Sequence, residues 1–138
     1  MATIQRFEDL EAWQKARELA KEVCSISATG KFAKDFDLRN QINRSCGSVM
    51  DNIAEGFGRG GRNEFANFLS IAKGSADETK SQLYRALDKG YMSQQDFEKL
   101  YSLADECGNK VGGLIQYLNK SNYTGPKFKG RTTPNKKP

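Results

Sequence analysis

The sequence predicts an all-α chain: an antiparallel, up-down four-helix bundle over residues 1–118, followed by a disordered basic C-terminal tail over residues 119–138. Three observations carry that prediction. Gly56-Phe57-Gly58-Arg59-Gly60-Gly61 places four glycines in six positions, and glycine reaches positive φ without steric cost, so a tight reversal is expected there. On either side of it, apolar residues recur every three or four positions. Leu38, Ile42, Cys46, Val49, Ile53 and Phe57 precede the reversal, and Phe65, Leu69, Ala72, Ala76, Thr79, Leu83 and Ala86 follow it. The third observation is a division of charge. Residues 1–118 hold 16 Lys and Arg against 17 Asp and Glu, whereas 119–138 hold six basic residues and no acid, so the net +5 of the whole chain resides in the tail.

The first helix is read over Phe7 to Ile26, where Leu10, Trp13, Ala16, Leu19, Ala20 and Val23 form the apolar stripe. Its opposite face alternates acids and bases, and Glu11 with Lys15 and Glu18 with Lys21 have the spacing of weak helical ion pairs. Thr29 to Phe36 break the pattern as the first connection. Asp37 is the expected N-cap of the second helix, since a carboxylate accepts from free N–H groups of the first turn.

The second helix, Leu38 to Phe57, carries a polar stripe of Ser48, Asn52, Glu55 and Arg59 at steps of four, three and four. Such groups line a buried polar seam, a subunit contact or the turn. The structural reading has Asn52 and Glu55 bonding loop backbone that the glycines of the turn, Gly56 and Gly58 among them, leave unpaired. Past the glycines, Gly61 and Glu64 make half a capping box. The third helix bears a second polar row, Ser75, Glu78 and Gln82, placed to meet the first. Gly90 suits its left-handed C-terminal position. Ser93 with Asp96 opens the fourth helix, whose stripe is Phe97, Leu100, Ala104, Cys107, Val111, Leu114 and Leu118. Gly108, Gly112 and Gly113 within it imply either close helix contact or a kinked, frayed segment. After Asn119 periodicity ends, and all three prolines lie in the tail.

Composition weighs against several functions. Apolar residues make up 37% of the chain and mean hydropathy is −0.73, so a thin helical core or a disordered portion is expected. No run of about 18 apolar residues occurs, so no membrane partner is expected, and the location is expected to be cytoplasmic. There is no histidine, which removes the usual general base and the commonest metal ligand. Cys24, Cys46 and Cys107 lack CxxC spacing and are expected to be buried thiols. No catalytic residue, metal site, cofactor or small-molecule substrate is therefore expected.

The text Phe7-Glu8-Asp9-Leu10 with Trp13, Gln41-Ile42, Arg44, Ser48, Asn52-Ile53-Ala54-Glu55-Gly56, Gly58-Arg59, Glu64-Phe65, Phe68-Leu69, Ile71-Ala72, Gly74-Ser75 and Gln82-Leu83 resembles the four helix bundle proteins also called 23S rRNA intervening-sequence proteins. The likeness spans Phe7 to Leu118. It implies an antiparallel four-helix bundle that assembles as a ring, typically a homopentamer. It also implies kinship with the accessory variability determinants of diversity-generating retroelements, which bind a reverse transcriptase and nucleic acid. Relatives often have proline where this chain has Met50, serine at Gly61 and leucine at Thr79.

The function expected is that of a non-enzymatic, oligomeric, nucleic-acid-associated accessory protein, with RNA or DNA as partner. Lys120, Lys127, Lys129, Arg131, Lys136 and Lys137, interleaved with Tyr123 and Phe128, suit an arm that touches phosphates and stacks on single-stranded bases. Arg39, Arg44, Arg59, Arg62, Lys73, Lys80 and Arg85 are the candidate contacts on the body. The alternative is a protein-interaction scaffold without direct nucleic-acid contact.

Overall fold

The computed structural model describes residues 4–120. A 3-10 turn, Phe7–Asp9, leads into α1 (Glu11–Ser27), a short α2 (Gly30–Lys34), α3 (Phe36–Arg59), α4 (Arg62–Asp88) and α5 (Gln94–Lys120). The four long helices alternate in direction. α3 packs between α1 and α4, and α5 closes the bundle by packing on α4 and α1. Among the described residues there is no strand, and no helix is long and apolar enough to cross a membrane.

The first helix starts later than its periodicity indicates. Leu10 is extended (φ −77°, ψ 126°) and buried, so the chain enters the core before α1 begins. Phe7 then folds edge-on against Trp13, with ring centroids 5.1 Å apart, and Gln14 Nε2 donates to the Glu8 carbonyl at 2.9 Å. Burying one leucine and one aromatic pair outweighs four more residues of α-helix.

The connection after α1 also differs from a plain loop. It contains α2, whose Phe32 is fully buried and stacks on Tyr91 at 5.2 Å. The cap of α3 is Asp35 rather than Asp37, which stands exposed in the first turn. Asp35 Oδ1 accepts from the Leu38 N–H at 3.1 Å, while Oδ2 accepts from Tyr91 Oη at 2.7 Å and Lys89 Nζ at 3.0 Å. The hydrogen bond from Tyr91, then those from the Leu38 N–H and Lys89, hold its carboxyl down at about 2. One side chain thus caps α3 and fastens it to the α4–α5 loop.

The glycine-rich stretch divides between two tasks. α3 runs through Gly56 and Gly58 to Arg59, and the reversal is made by Gly60 (φ 86°) and the extended Gly61 alone. Gly56 serves contact instead: a Cβ there would lie 2.6 Å from Phe68 Cβ on α4, which no real pair of carbons tolerates. The C-terminal glycines are less demanding. Gly108 faces Ala76 at an ordinary 3.9 Å and Gly113 faces open space.

The core falls into two apolar halves. Near the glycine turn, Leu10, Ala16, Val49, Ile53, Phe57, Phe65, Leu69, Ala76 and Val111 pack together. At the far end Leu19, Val23, Phe32, Ile42, Leu83, Phe97, Leu100 and Ala104 do so. Cys46 and Cys107 are buried, and burial pushes both thiols up to about 12. Cys24 does not join them; it is exposed, because it sits one residue past Val23 and so one helical step off the stripe.

Candidate nucleic-acid interface

The polar stripe of α3 lies along the outer seam with α4, and the structure extends it beyond the four residues the spacing picked out. Ser48 Oγ and Ser75 Oγ are 2.9 Å apart. Asn52 Nδ2 donates to the Ser48 carbonyl at 2.8 Å and to Ser48 Oγ at 2.9 Å. Asn52 therefore braces its own helix rather than the turn backbone. Glu55 likewise pairs with Arg59, Oε2 to Nη2 at 2.9 Å, on the surface.

One turn toward the far end, Ser45 Oγ donates to Gln82 Oε1 at 2.6 Å and lies 2.8 Å from Thr79 Oγ1. Thr79 Oγ1 also lies 2.9 Å from the Ser75 carbonyl, with one proton for the two acceptors. Ser45, Thr79 and Gln82 are all buried, so this is a closed neutral network between the two apolar halves. Where a leucine at Thr79 would extend the apolar seam, the threonine hydroxyl instead meets Ser45. Ser45 was missed in the sequence, although it continues the same stripe from Ser48 by a step of three.

Outside these bonds the seam opens into a groove of about 630 Å³, lined by Gln41, Arg44, Ser48, Asp51, Asn52 and Glu78 among others. Its charge leans acidic: one base, Arg44, stands among two acids, Asp51 and Glu78. The groove can hydrogen-bond a partner, but it lacks the electrostatics of a phosphate cradle.

The cations proposed for the body are not brought to one wall. Arg39 Nη1 donates to the Ala33 carbonyl of α2 at 3.1 Å, and Arg85 Nη1 donates to Gln41 Oε1 at 3.0 Å across the α3–α4 seam. Arg59, besides its pair with Glu55, lies 5.1 Å over the Phe68 ring. Arg62 opens α4 at the glycine turn. Lys73 reaches along α5 beside Gly112. Lys80 pairs with Asp105 at 2.9 Å and Asp77 at 3.9 Å, and its pKa is raised first by the hydrogen bond it donates to Asp105.

Of the tail cations, Lys120 ends α5, exposed; Lys127, Lys129, Arg131, Lys136 and Lys137 lie outside the described residues. Glu64 is exposed in the first turn of α4, and Gly61 caps that helix with no side-chain bond. Among the described residues no group of three or more His, Cys, Asp or Glu is arranged to hold a metal ion. A feature that no motif announced is a cluster of Tyr84, Phe97 and Tyr101 on the α4–α5 seam, with centroids 4.8 to 5.7 Å apart.

Comparison with known proteins places this architecture. The sequence model of the family described as 23S rRNA-intervening sequence protein matches residues 8–113. No curated protein matches the chain. Among solved structures, the chain is similar to a crystal structure of a protein of unknown function from the S23 ribosomal protein family of Bacteroides thetaiotaomicron. The TM-score is 0.69 at 24% identity, over 76% of this chain and 95% of that one, a likeness of fold.

Proposed function

The chain belongs to the 23S rRNA-intervening sequence protein family, and from that premise we propose that it is a non-enzymatic, nucleic-acid-associated accessory protein. Its bundle is a carrier and assembles with further copies; a ring of five is the assembly its family resemblance implies. The cationic residues from Lys120 to Lys137 make the contact with RNA or DNA. The observation that supports this most is the separation of charge, a near-neutral body joined to a segment with six cations and no acid. A cationic arm neutralises phosphates with little demand for sequence, and several copies in one assembly raise its effective concentration.

Salt-dependent binding of a labelled single-stranded RNA to the full chain tests the reading. Replacing Lys127, Lys129, Arg131, Lys136 and Lys137 with glutamine lowers affinity and flattens the plot of log K against log salt, by about 0.7 for each lost phosphate contact. An unchanged slope overturns the assignment of the tail.

A second reading has support of its own. Lys80, Arg59 and Arg85 are all engaged within the body, which suits a scaffold that recruits a protein, a reverse transcriptase in the branch the resemblance implies, without touching nucleic acid. Retention of such a partner by the glutamine variant, with no RNA bound by either form, favours the scaffold.

A further inference from the structure

The outward face of α3 differs from that of α1, where Glu11, Lys15, Glu18 and Lys21 alternate in sign along the solvent side. Opposite the buried stripe of α3, Phe36, Asn40, Arg44, Gly47, Asp51 and Gly58 follow one another at helical spacing, and none is buried. Three features of this line have no explanation inside the chain. Arg44 and Asp51, of opposite sign, make no hydrogen bond or ion pair with any described residue. Phe36 is 68% exposed, the most open large apolar side chain among the described residues. A Cβ at Gly47 or Gly58 would meet nothing within 4 Å, although glycine weakens a helix relative to alanine.

One symmetry operation matches all three. Arg44 lies three residues before Gly47 and Asp51 three after Ser48, so the two charges are placed evenly about the midpoint of Gly47 and Ser48. Two copies of α3 laid antiparallel across that midpoint bring Arg44 of each opposite Asp51 of the other, twice in one contact. The same alignment sets Phe36, about 17 Å along the axis from the midpoint, beside the partner's Gly58, about 16 Å from it, where no side chain stands in the way. Gly47 falls at the crossing, where bare backbone lets the two helices close.

We propose that the outward face of α3 is a self-complementary contact between two copies of this chain, α3 antiparallel on α3. Charge complementarity selects that occupant. A parallel pair would set Arg44 on Arg44, and a polyanion would meet the unpaired Asp51 and Glu78 on the same side. The contact closes at two copies, so the head-to-tail contacts of a ring use other faces of the bundle, and two rings are joined by it as readily as two single bundles. The inference rests on neither the nucleic-acid reading nor the ring.

Analytical ultracentrifugation of the full chain tests it, with Cys24→Ser throughout because that thiol is exposed. Arg44→Asp and Asp51→Arg each set like charges opposite one another. Either change alone halves the sedimenting mass and weakens pairing at least about tenfold, and it leaves the helical circular-dichroism signal intact because neither side chain has a partner in its own chain. Mixed in equal amounts, the two variants recover the wild-type mass, since each reversed side chain then meets its opposite on the other. Gly47→Leu blocks the crossing and also halves the mass, with the charges untouched. A wild-type mass of one bundle or of a single odd-numbered ring, variants that sediment as the wild type does, or a mixture that stays at half mass overturns the proposal.

Discussion

The α3–α4 and α1–α5 seams lie on opposite sides of the bundle and are fastened differently. Across α1–α5, Glu11 meets Lys110 at 2.8 Å, Lys15 meets Glu106 at 3.5 Å, and Glu22 meets Lys99 at 3.3 Å. The hydrogen bond and charge of Lys110 lower the pKa of Glu11, and the charges of Glu106 and Glu18 raise that of Lys15. These are long, exposed side chains. Across α3–α4, apart from the exposed bond from Arg85 to Gln41, the groups are uncharged and withdrawn from water: Ser45, Thr79 and Gln82 in one buried cluster, Ser48 and Ser75 in a partly buried one. Flexible charges in water forgive a change at one partner, whereas buried dipoles must each find their bond.

The contrast breaks most readily at Gly56. Adding a methyl there forces it against Phe68 Cβ at the start of the close α3–α4 approach, and Gly56→Ala is expected to cost about 3 kcal/mol, the upper end for overpacking. Urea denaturation measures it, with Gly113→Ala as the control. That glycine faces open space and the change stabilises by up to about 1 kcal/mol.

Next in size is the buried network. Ser45→Ala strands Gln82 and lowers stability by about 1–2 kcal/mol. Replacing all three polar members together, Ser45→Ala with Thr79→Val and Gln82→Leu, restores most of it, because no orphaned dipole remains. Thermal unfolding of the single and triple variants gives the answer, and a triple variant as weak as the single one breaks the argument.

Asp35 belongs to neither seam and sharpens the comparison through pH. Its carboxyl sits near 2, below its ordinary 3.8. The folded state therefore binds its proton more weakly than the unfolded one, and its contribution is present above pH 3.8 and is lost as pH falls toward 2. In acid titrations followed by circular dichroism, Asp35→Asn loses stability at neutral pH and shows a shallower decline across that window.

The smallest effect belongs to the ion pairs. Lys99→Ala, which removes the Glu22 contact, shifts stability by about 0.5 kcal/mol or less and by nothing at high salt. A larger, salt-resistant loss, measured by chemical denaturation at two ionic strengths, reverses the ranking of the seams.

Much of this architecture was legible in the spacing of residues. The stripes from Leu38 to Phe57, Phe65 to Ala86 and Phe97 to Leu118 all became buried faces, apart from the partly buried Leu114, because a 3.6-residue period leaves little choice of face. What escaped was decided by contacts distant in sequence. Asp35 and Asp37 are equal as caps until Tyr91 and Lys89 arrive to select the first. Gly56 reads as a turn residue until Phe68 is seen against it. The polar rows were visible as rows, but Ser45 carries a short side chain whose role depends on Thr79 and Gln82, 34 and 37 positions away. The spacing of the body cations does not say which seam each will face, and the helices distribute Arg39, Arg85 and Lys80 over separate ones.

The hydroxyl layer between the two apolar halves has one further effect. Apolar stripes built from repeated steps of three and four match themselves again after every turn or two, so greasy contact alone leaves α4 room to slip lengthwise against α3. Ser45 meets Thr79 and Gln82 at a single alignment, and any slip carries those dipoles against hydrocarbon. The layer acts as an index mark that sets the helix register, and the position of the Gly60-Gly61 reversal follows from it.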